Sequence, residues 1–312
     1  MKRLFMSWFI LGLPVTTAVS ADIFTPGGRY AACRLFGHER PVFGIAFTRG
    51  RDHLVSGCKG GVLNYWSWDG FLLFRTRRKS PVYFLSTGDR GRKLYVARGD
   101  GVLEIRNGRK LARRLKSHAT NILSVQENPD RKTFVTTSED RLVKLWKVGG
   151  EPLMTVEDHK QPVTTVGFHP GKMIYATGGR DNLIKISSRN GLVRKTLIGH
   201  TDYVWSVRFT PDGKYLLSCS KDKTIRIWDV ATWKTVRIIR GHRSDVWALA
   251  VSANSRFIAS GGRESEIYIW SFRGRLIRKL KGHRKGVISL LFSTDGKTLA
   301  SGSLDGTVIL WR

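Results

Sequence analysis

A histidine recurs along this chain at a nearly fixed interval, and that interval constrains the fold more than any other feature. It falls at His38, His118, His159, His200, His242 and His283. The first gap is double the others, and Arg78 stands at its midpoint. Twenty-eight residues beyond each of these positions lie Trp66, Arg106, Trp146, Ser187, Trp228, Trp270 and Trp311. The chain therefore holds seven copies of one frame at a period of 40 to 42 residues, one of them without its histidine. Residues 199–230 show the frame in full. A Gly-His pair opens it, then come an apolar run (Val204, Val207, Phe209), a Pro-Asp-Gly turn and a second apolar run. A polar turn ends at Asp222, and a third run closes on Trp228 and Asp229. Turn residues thus separate segments of about 5–7 residues, as a meander of short antiparallel strands requires.

A period of about 40–45 residues with Gly-His and Trp-Asp landmarks is the signature of four-stranded propeller blades. On these residues the repeat resembles the WD40 (G-beta-like) family over residues 29–312. The resemblance implies an all-β fold, a seven-bladed WD40 β-propeller. Each copy supplies strands a, b and c, and the run after the tryptophan position supplies strand d. The seventh copy has no such run, because Arg312 follows directly on Trp311. A bare third strand would leave a row of unpaired backbone groups in an otherwise closed ring. The segment Arg29–Phe36 precedes the first Gly-His, where strand d sits in the other copies. It is expected to pair with Thr307–Trp311 and complete the last blade, as in the family.

Copies three, five and seven carry all four landmark residues: His118, Thr136, Asp140 and Trp146; His200, Ser218, Asp222 and Trp228; His283, Ser301, Asp305 and Trp311. Copy one has Gly60 at the aspartate position, copy four has Ser187 at the tryptophan position, and copy six has Glu264 for aspartate. Copy two keeps Asp100 but has Arg78, Val96 and Arg106 at the other three places. Serine, histidine and aspartate together suggest hydrolase chemistry, yet a catalytic constellation occurs once and not once per repeat. The resemblance implies a structural role instead: aspartate holds the b–c turn and the imidazole, the imidazole meets the hydroxyl, and the hydroxyl meets the indole. The sequence has no HExxH, no GxSxG elbow, no Walker loop and no dinucleotide fingerprint ahead of a helix. The expectation is a protein that is not an enzyme and holds no cofactor or metal.

Lysine and arginine number 54 against 24 acidic residues, a formal charge of +30. Small domains are comfortable at about 2–8, so the excess points to acidic partners. Residues 1–21 differ from the rest: Lys2 and Arg3, an apolar run from Leu4 to Val15, then small residues ending Val19-Ser20-Ala21. This is the layout of a cleaved secretory signal. Residues 22–28 read as a linker and 29–312 as the propeller. Removing Lys2 and Arg3 lowers the charge only from +30 to +28. No later apolar run approaches the ~18 residues of a membrane span. The expected location is periplasmic or secreted, with no transmembrane span after cleavage. Cys33, Cys58 and Cys219 have no CxxC spacing and read as small apolar core residues.

Two surfaces could hold a partner. Basic residues crowd the strand d rim, as at Arg75, Arg77, Arg113, Arg114, Arg237 and Arg278, but are missing from Glu151–Asp158. Edge strands carry charge to prevent pairing, which does not explain that unevenness. The second surface is the narrow face where strand a begins and the b–c turns emerge. Residues three and five beyond each histidine, and the one before each aspartate, are expected to face out there. They interleave large aromatics with cations: Phe43, Lys59, Tyr83, Arg180, Tyr203, Trp205, Lys221, Trp247 and Arg263. Exposed Trp, Tyr and Arg are typical contact anchors, although Trp205 and Trp247 could instead line the channel. The expected function is a non-enzymatic exported scaffold, a monomer within a complex, binding an acidic protein or an anionic envelope polymer. The alternative is a nucleic-acid-binding propeller retained in the cytoplasm, since phosphate contacts also draw on positive charge.

Overall fold

The structure, a computed structural model, describes residues 31–49 and 54–312. The expected signal (1–21) and linker (22–28) lie outside the described residues. Among the described residues, twenty-eight strands form seven four-stranded sheets, and all pairing is antiparallel. Six sheets are simple meanders of strands consecutive in the chain. The seventh joins Val287–Phe292, Leu299–Ser303 and Val308–Trp311 to the early strand Ala32–Leu35. Ala32 pairs with Trp311 and Leu35 with Val308, and reciprocal Ala31–Arg312 backbone hydrogen bonds of 2.9 Å extend the ladder. The expected closure is therefore present.

The ring follows from where each strand puts its apolar residues. Strand b is buried on both faces, as in Leu54–Cys58 and Thr133–Ser138. Strand d is mostly exposed, as in Leu72–Arg77 and Lys110–Lys116. Each strand a touches strand a of both neighbours, blade 7 against blade 1 included. Core clusters straddle the boundaries: Val42, Ile45 and Leu54 of blade 1 pack with Ala300, Val308 and Leu310 of blade 7. No blade encloses its own core, so each needs its neighbours. Cys58 and Cys219 are buried in such clusters, and Cys33 is half-buried on the closing strand.

Inside each complete blade a polar chain crosses three strands. In blade 5, His200 Nδ1 lies 2.7 Å from Asp222, His200 Nε2 lies 2.7 Å from Ser218 Oγ, and the Trp228 indole N–H donates to that oxygen at 2.9 Å. Blades 3 and 7 repeat it through His118, Thr136, Asp140 and Trp146, and through His283, Ser301, Asp305 and Trp311. Glu264 substitutes for aspartate in blade 6, 3.3 Å from His242. Burial opposes the charge on Asp222 and Asp305, but His200 and His283, with threonine and backbone donors, outweigh it and hold both carboxyls well below their usual range. Burial lowers His118 below the ordinary histidine value, against the pull of Asp140. A neutral imidazole then donates through Nδ1 to the carboxylate and accepts the hydroxyl proton at Nε2, so each member of a complete polar chain has a partner.

Blade 4 keeps the His159–Asp181 and His159–Thr177 bonds at 2.9 Å but has Ser187 in place of the indole. Blades 1 and 2 depart further. In blade 1, His38 reaches Ser56 at 2.7 Å, but Gly60 offers no carboxylate and Nδ1 is buried without a partner. Burial, with Arg75 adding, lowers His38 to about 4. In blade 2, Glu104 is fully buried, and four arginines converge on it. Arg78 Nε lies at 3.1 Å, Arg98 at 3.0 Å, Arg106 at 3.1 Å and Arg114 Nε at 3.6 Å. Arg98 also pairs with Asp100. Burial works against the Glu104 charge, and Arg78, Arg106 and Arg98 outweigh it, so its carboxyl stays below the usual range. An ionic cluster thus stands where other blades have a neutral hydrogen-bond chain.

Asp222→Ala orphans His200 and is expected to destabilise the fold by about 1–3 kcal/mol. Glu104→Gln leaves buried guanidinium groups uncompensated and is expected to cost about 3–5 kcal/mol. Urea unfolding reads both, and the ranking fails if Glu104→Gln is the milder change. The pH dependence has a definite sign. His38 titrates near 6.5 when unfolded and at about 4 when folded, so the unfolded chain takes up its proton first. Its contribution is full above pH 6.5 and is lost as pH falls to about 4. Gly60→Asp supplies the missing acceptor and should shrink the shift of the urea midpoint between about pH 7.5 and about pH 5.

Candidate functional site

One irregularity repeats in all seven blades. The pairing of strand a with strand b slips by one residue near its start, and the residue stepped over lies five beyond the histidine position. In blade 5 the slip falls between Val204 and Ser206, which leaves Trp205 as the extra residue. Phe43, Tyr83, Leu123, Thr164, Trp247 and Ile288 hold the same place in the other blades. A bulge leaves its extra residue unpaired and re-aims its side chain. All seven of these residues line the central cavity, which measures about 590 Å³.

The aromatic residues at this mouth are organised before any partner arrives. Phe43 stacks on Tyr83 with centroids 5.2 Å apart and planes at 10°. Tyr203 packs edge-on against Trp205 at 5.9 Å. Burial, with Glu139 adding, raises the Tyr83 phenol above its usual value. Trp205 and Trp247 are half-buried, and Trp205 Nε1 has no hydrogen-bond partner among the described residues. Tyr203 supports Trp205 without lining the cavity.

The cations divide into two groups. Arg180 lies over the Trp205 ring at 5.6 Å and pairs with Glu139 at 3.4 Å. Lys221 lies over Tyr203 at 4.5 Å and pairs with Asp202 at 3.3 Å. Their charge is matched locally. Lys59 and Arg263 are exposed and form no ion pair among the described residues. Their backbone N–H groups are pinned to Pro41 O at 2.9 Å and Asp245 O at 3.0 Å.

Further unpaired cations surround those two, and sequence reasoning missed them. Arg243 and Arg284 directly follow a landmark histidine, and their N–H groups bond the Glu264 and Asp305 carboxylates. Arg40 and Lys285 lie two beyond one. All four are exposed and form no ion pair among the described residues. The signal was available, since the carboxylate that accepts from the imidazole also fixes the next backbone N–H. Closure makes blades 6, 7 and 1 neighbours, so these residues form one cationic arc beside the channel mouth. Such an arc attracts acidic groups, strongly at low ionic strength.

The outer rim is less free. Lys279 and Lys281 pair with Glu266 at 3.4 and 3.6 Å, and Arg109 covers the Phe74 ring at 5.1 Å. The hydroxyls of Ser218 and Ser301 are fully buried between strands, out of reach of a substrate. Among the described residues, no group of three or more histidine, cysteine or acidic side chains could hold a metal. No helix among them is long and apolar enough to cross a membrane.

A comparison with curated protein sequences finds no match. The WD domain, G-beta repeat family matches at residues 28–67, 109–147, 150–186, 191–229, 233–271 and 274–312. The interval it passes over contains Val82–Gly88, Lys93–Arg98 and Val102–Asn107, the three inner strands of the blade whose polar chain is replaced by the Glu104 cluster. That blade keeps the four-stranded order and the bulge at Tyr83, so it departs in side chains and not in architecture. By its repeats and its ring of seven four-stranded blades, the chain belongs to the WD domain, G-beta repeat family.

Proposed function

We propose that this propeller is a protein-interaction scaffold, as is typical of its family, that works outside the cytoplasm and holds an acidic protein, or another anionic component of the cell envelope, on its narrow face. The observation that carries the reading is the cationic arc of Lys59, Arg243, Arg263 and Arg284, which lacks acidic partners and adjoins an aromatic ring. Unpaired surface charges raise association rates and select a partner of opposite sign. The aromatic residues beside them supply contact area at little entropic cost.

A protein partner is favoured over nucleic acid by the arrangement of the aromatics. Phe43, Tyr83, Trp205 and Trp247 ring a channel mouth, whereas single strands bind along grooves where successive bases stack. The amino-terminal layout supports export. Lys2 and Arg3 precede an apolar run and a small-residue site ending at Ala21.

The mature chain is expected to bind poly-glutamate with an affinity that falls as salt rises. Replacing Arg243, Arg263 and Arg284 together by glutamate should weaken binding about tenfold or more with an unchanged melting temperature. Equal binding by that variant defeats the reading, and tighter binding of single-stranded DNA than of poly-glutamate favours the nucleic-acid alternative. Fractionation of cells expressing a carboxy-terminally tagged chain tests export, which fails if the full-length product stays in the cytoplasm.

A further inference from the structure

The far end of the central channel differs from its mouth. Three residues beyond each bulge, strand a brings one residue per blade to a common level. At ~3.3 Å per residue this level lies about 10 Å below the aromatic ring. Blades 2, 3 and 5 place Ser86, Gln126 and Arg208 there, and all three line the cavity. Blade 4 places Gly167 between the last two, and the other three blades place apolar residues.

Arg208 is a cation without a carboxylate. Among the described residues, its one side-chain hydrogen bond runs from Nη1 to Val207 O at 2.8 Å, and it forms no ion pair. Burial lowers its pKa from the ordinary arginine value, but a guanidinium stays charged at neutral pH. Gln126 is oriented by its other end. Its Oε1 accepts the Phe168 N–H at 3.1 Å, which leaves the NH₂ as a free donor. The Ser86 hydroxyl is buried and has no partner among the described residues.

Among the described residues, no acid at this level answers them. Glu127, next to Gln126, is taken by Tyr95 Oη–H and by the Asp89 N–H at 2.6 Å. At the mouth, Glu139 is matched by Arg180. Asp245 lies five strand positions nearer the mouth than the floor level, on blade 6 beside the exposed Arg263. Above the floor the walls are apolar, with Leu85, Val125 and Leu249 among them. A volume of about 590 Å³ falls within the ~300–1,000 Å³ of small-molecule sites, which pair apolar walls with a few polar groups.

We propose that the channel floor is a carboxylate-binding site, with Arg208 as counter-ion, the Gln126 amide as second donor, and the ligand's apolar body held between the aromatic residues at the mouth. The carboxylate belongs either to a free organic acid or to the carboxy-terminus of a threaded peptide. The site shares the mouth aromatics with the face-docking reading but not its charges, because Arg208 sits inside the channel and the cationic arc outside it.

Calorimetry on the mature chain tests the site with phenylbutyrate, with its amide, and with a short peptide ending in phenylalanine as free acid or as carboxamide. The acids are expected to bind at least about tenfold tighter than the amides, a difference of about 1.4 kcal/mol. Arg208→Met should abolish that preference, and Arg208→Gln replaces it if the methionine variant does not fold. The triple Arg243, Arg263 and Arg284 variant should keep the preference, which separates failure of this site from failure of the face. Tighter binding of phenylbutyrate than of the peptide acid identifies a free organic acid as the source, and the reverse order identifies a chain end. Equal binding of acids and amides, binding of none of the four, or an undiminished preference in the Arg208 variant overturns the proposal.

Discussion

One buried hydroxyl in each of six blades holds this architecture together. In blade 5 it is Ser218 on strand b, which meets an imidazole from the segment leading into strand a and an indole from strand c. A side chain on one strand therefore fixes two neighbours at once, with every donor and acceptor used. Inside a core of low dielectric such a chain is strong when complete and costly when broken. It also reaches the surface. The carboxylate that closes it binds the backbone N–H next to the histidine, as Asp222 does for Thr201 and Asp305 for Arg284. The narrow face is thus held by the same contacts that hold the blade.

The departures show how much of this chain a blade can lose. Blade 1 keeps its hydroxyl and indole bonds and lacks only the carboxylate, which leaves His38 neutral and half-partnered. Blade 2 has no hydroxyl at Val96, and Glu104 becomes the hub in its place. That position holds Lys144, Lys185 and Arg226 in blades 3, 4 and 5, so the charge is inverted and the surrounding arginines answer it. Backbone pairing alone keeps the sheet four-stranded, but the ionic hub depends on every partner remaining in place.

The fold was legible because its signals are local and repeat. A histidine, a turn aspartate and a tryptophan in phase define a blade, and the missing last strand points to the segment around Cys33. The tetrads were equally legible, since each buried polar residue needs partners that recur at the same offsets. The candidate site was legible only in part. The offset rule found Phe43, Tyr83, Trp205 and Trp247, but not that a bulge turns them toward the channel. It ranked Arg180 and Lys221 beside Lys59 and Arg263, although Glu139 and Asp202 match the first two. Arg180–Glu139 joins two blades and Lys221–Asp202 two loops of one blade, and neither pairing belongs to the recurring frame. Arg208 and Gln126 looked like ordinary strand residues, because only the closed ring gives strand a an inner side.

The pairing of Ala32–Leu35 with Val308–Trp311 also has a consequence in time. Synthesis delivers the early strand long before its partner exists. Blades 1 to 6 can assemble in order, each on the last, while this strand waits with its backbone unsatisfied. The final step must bring the two most distant segments of the fold together, and long-range contacts of that kind slow folding. An unfinished ring also presents an open sheet edge to any other chain nearby, so the nascent protein is most exposed to misassembly just before its last blade is complete.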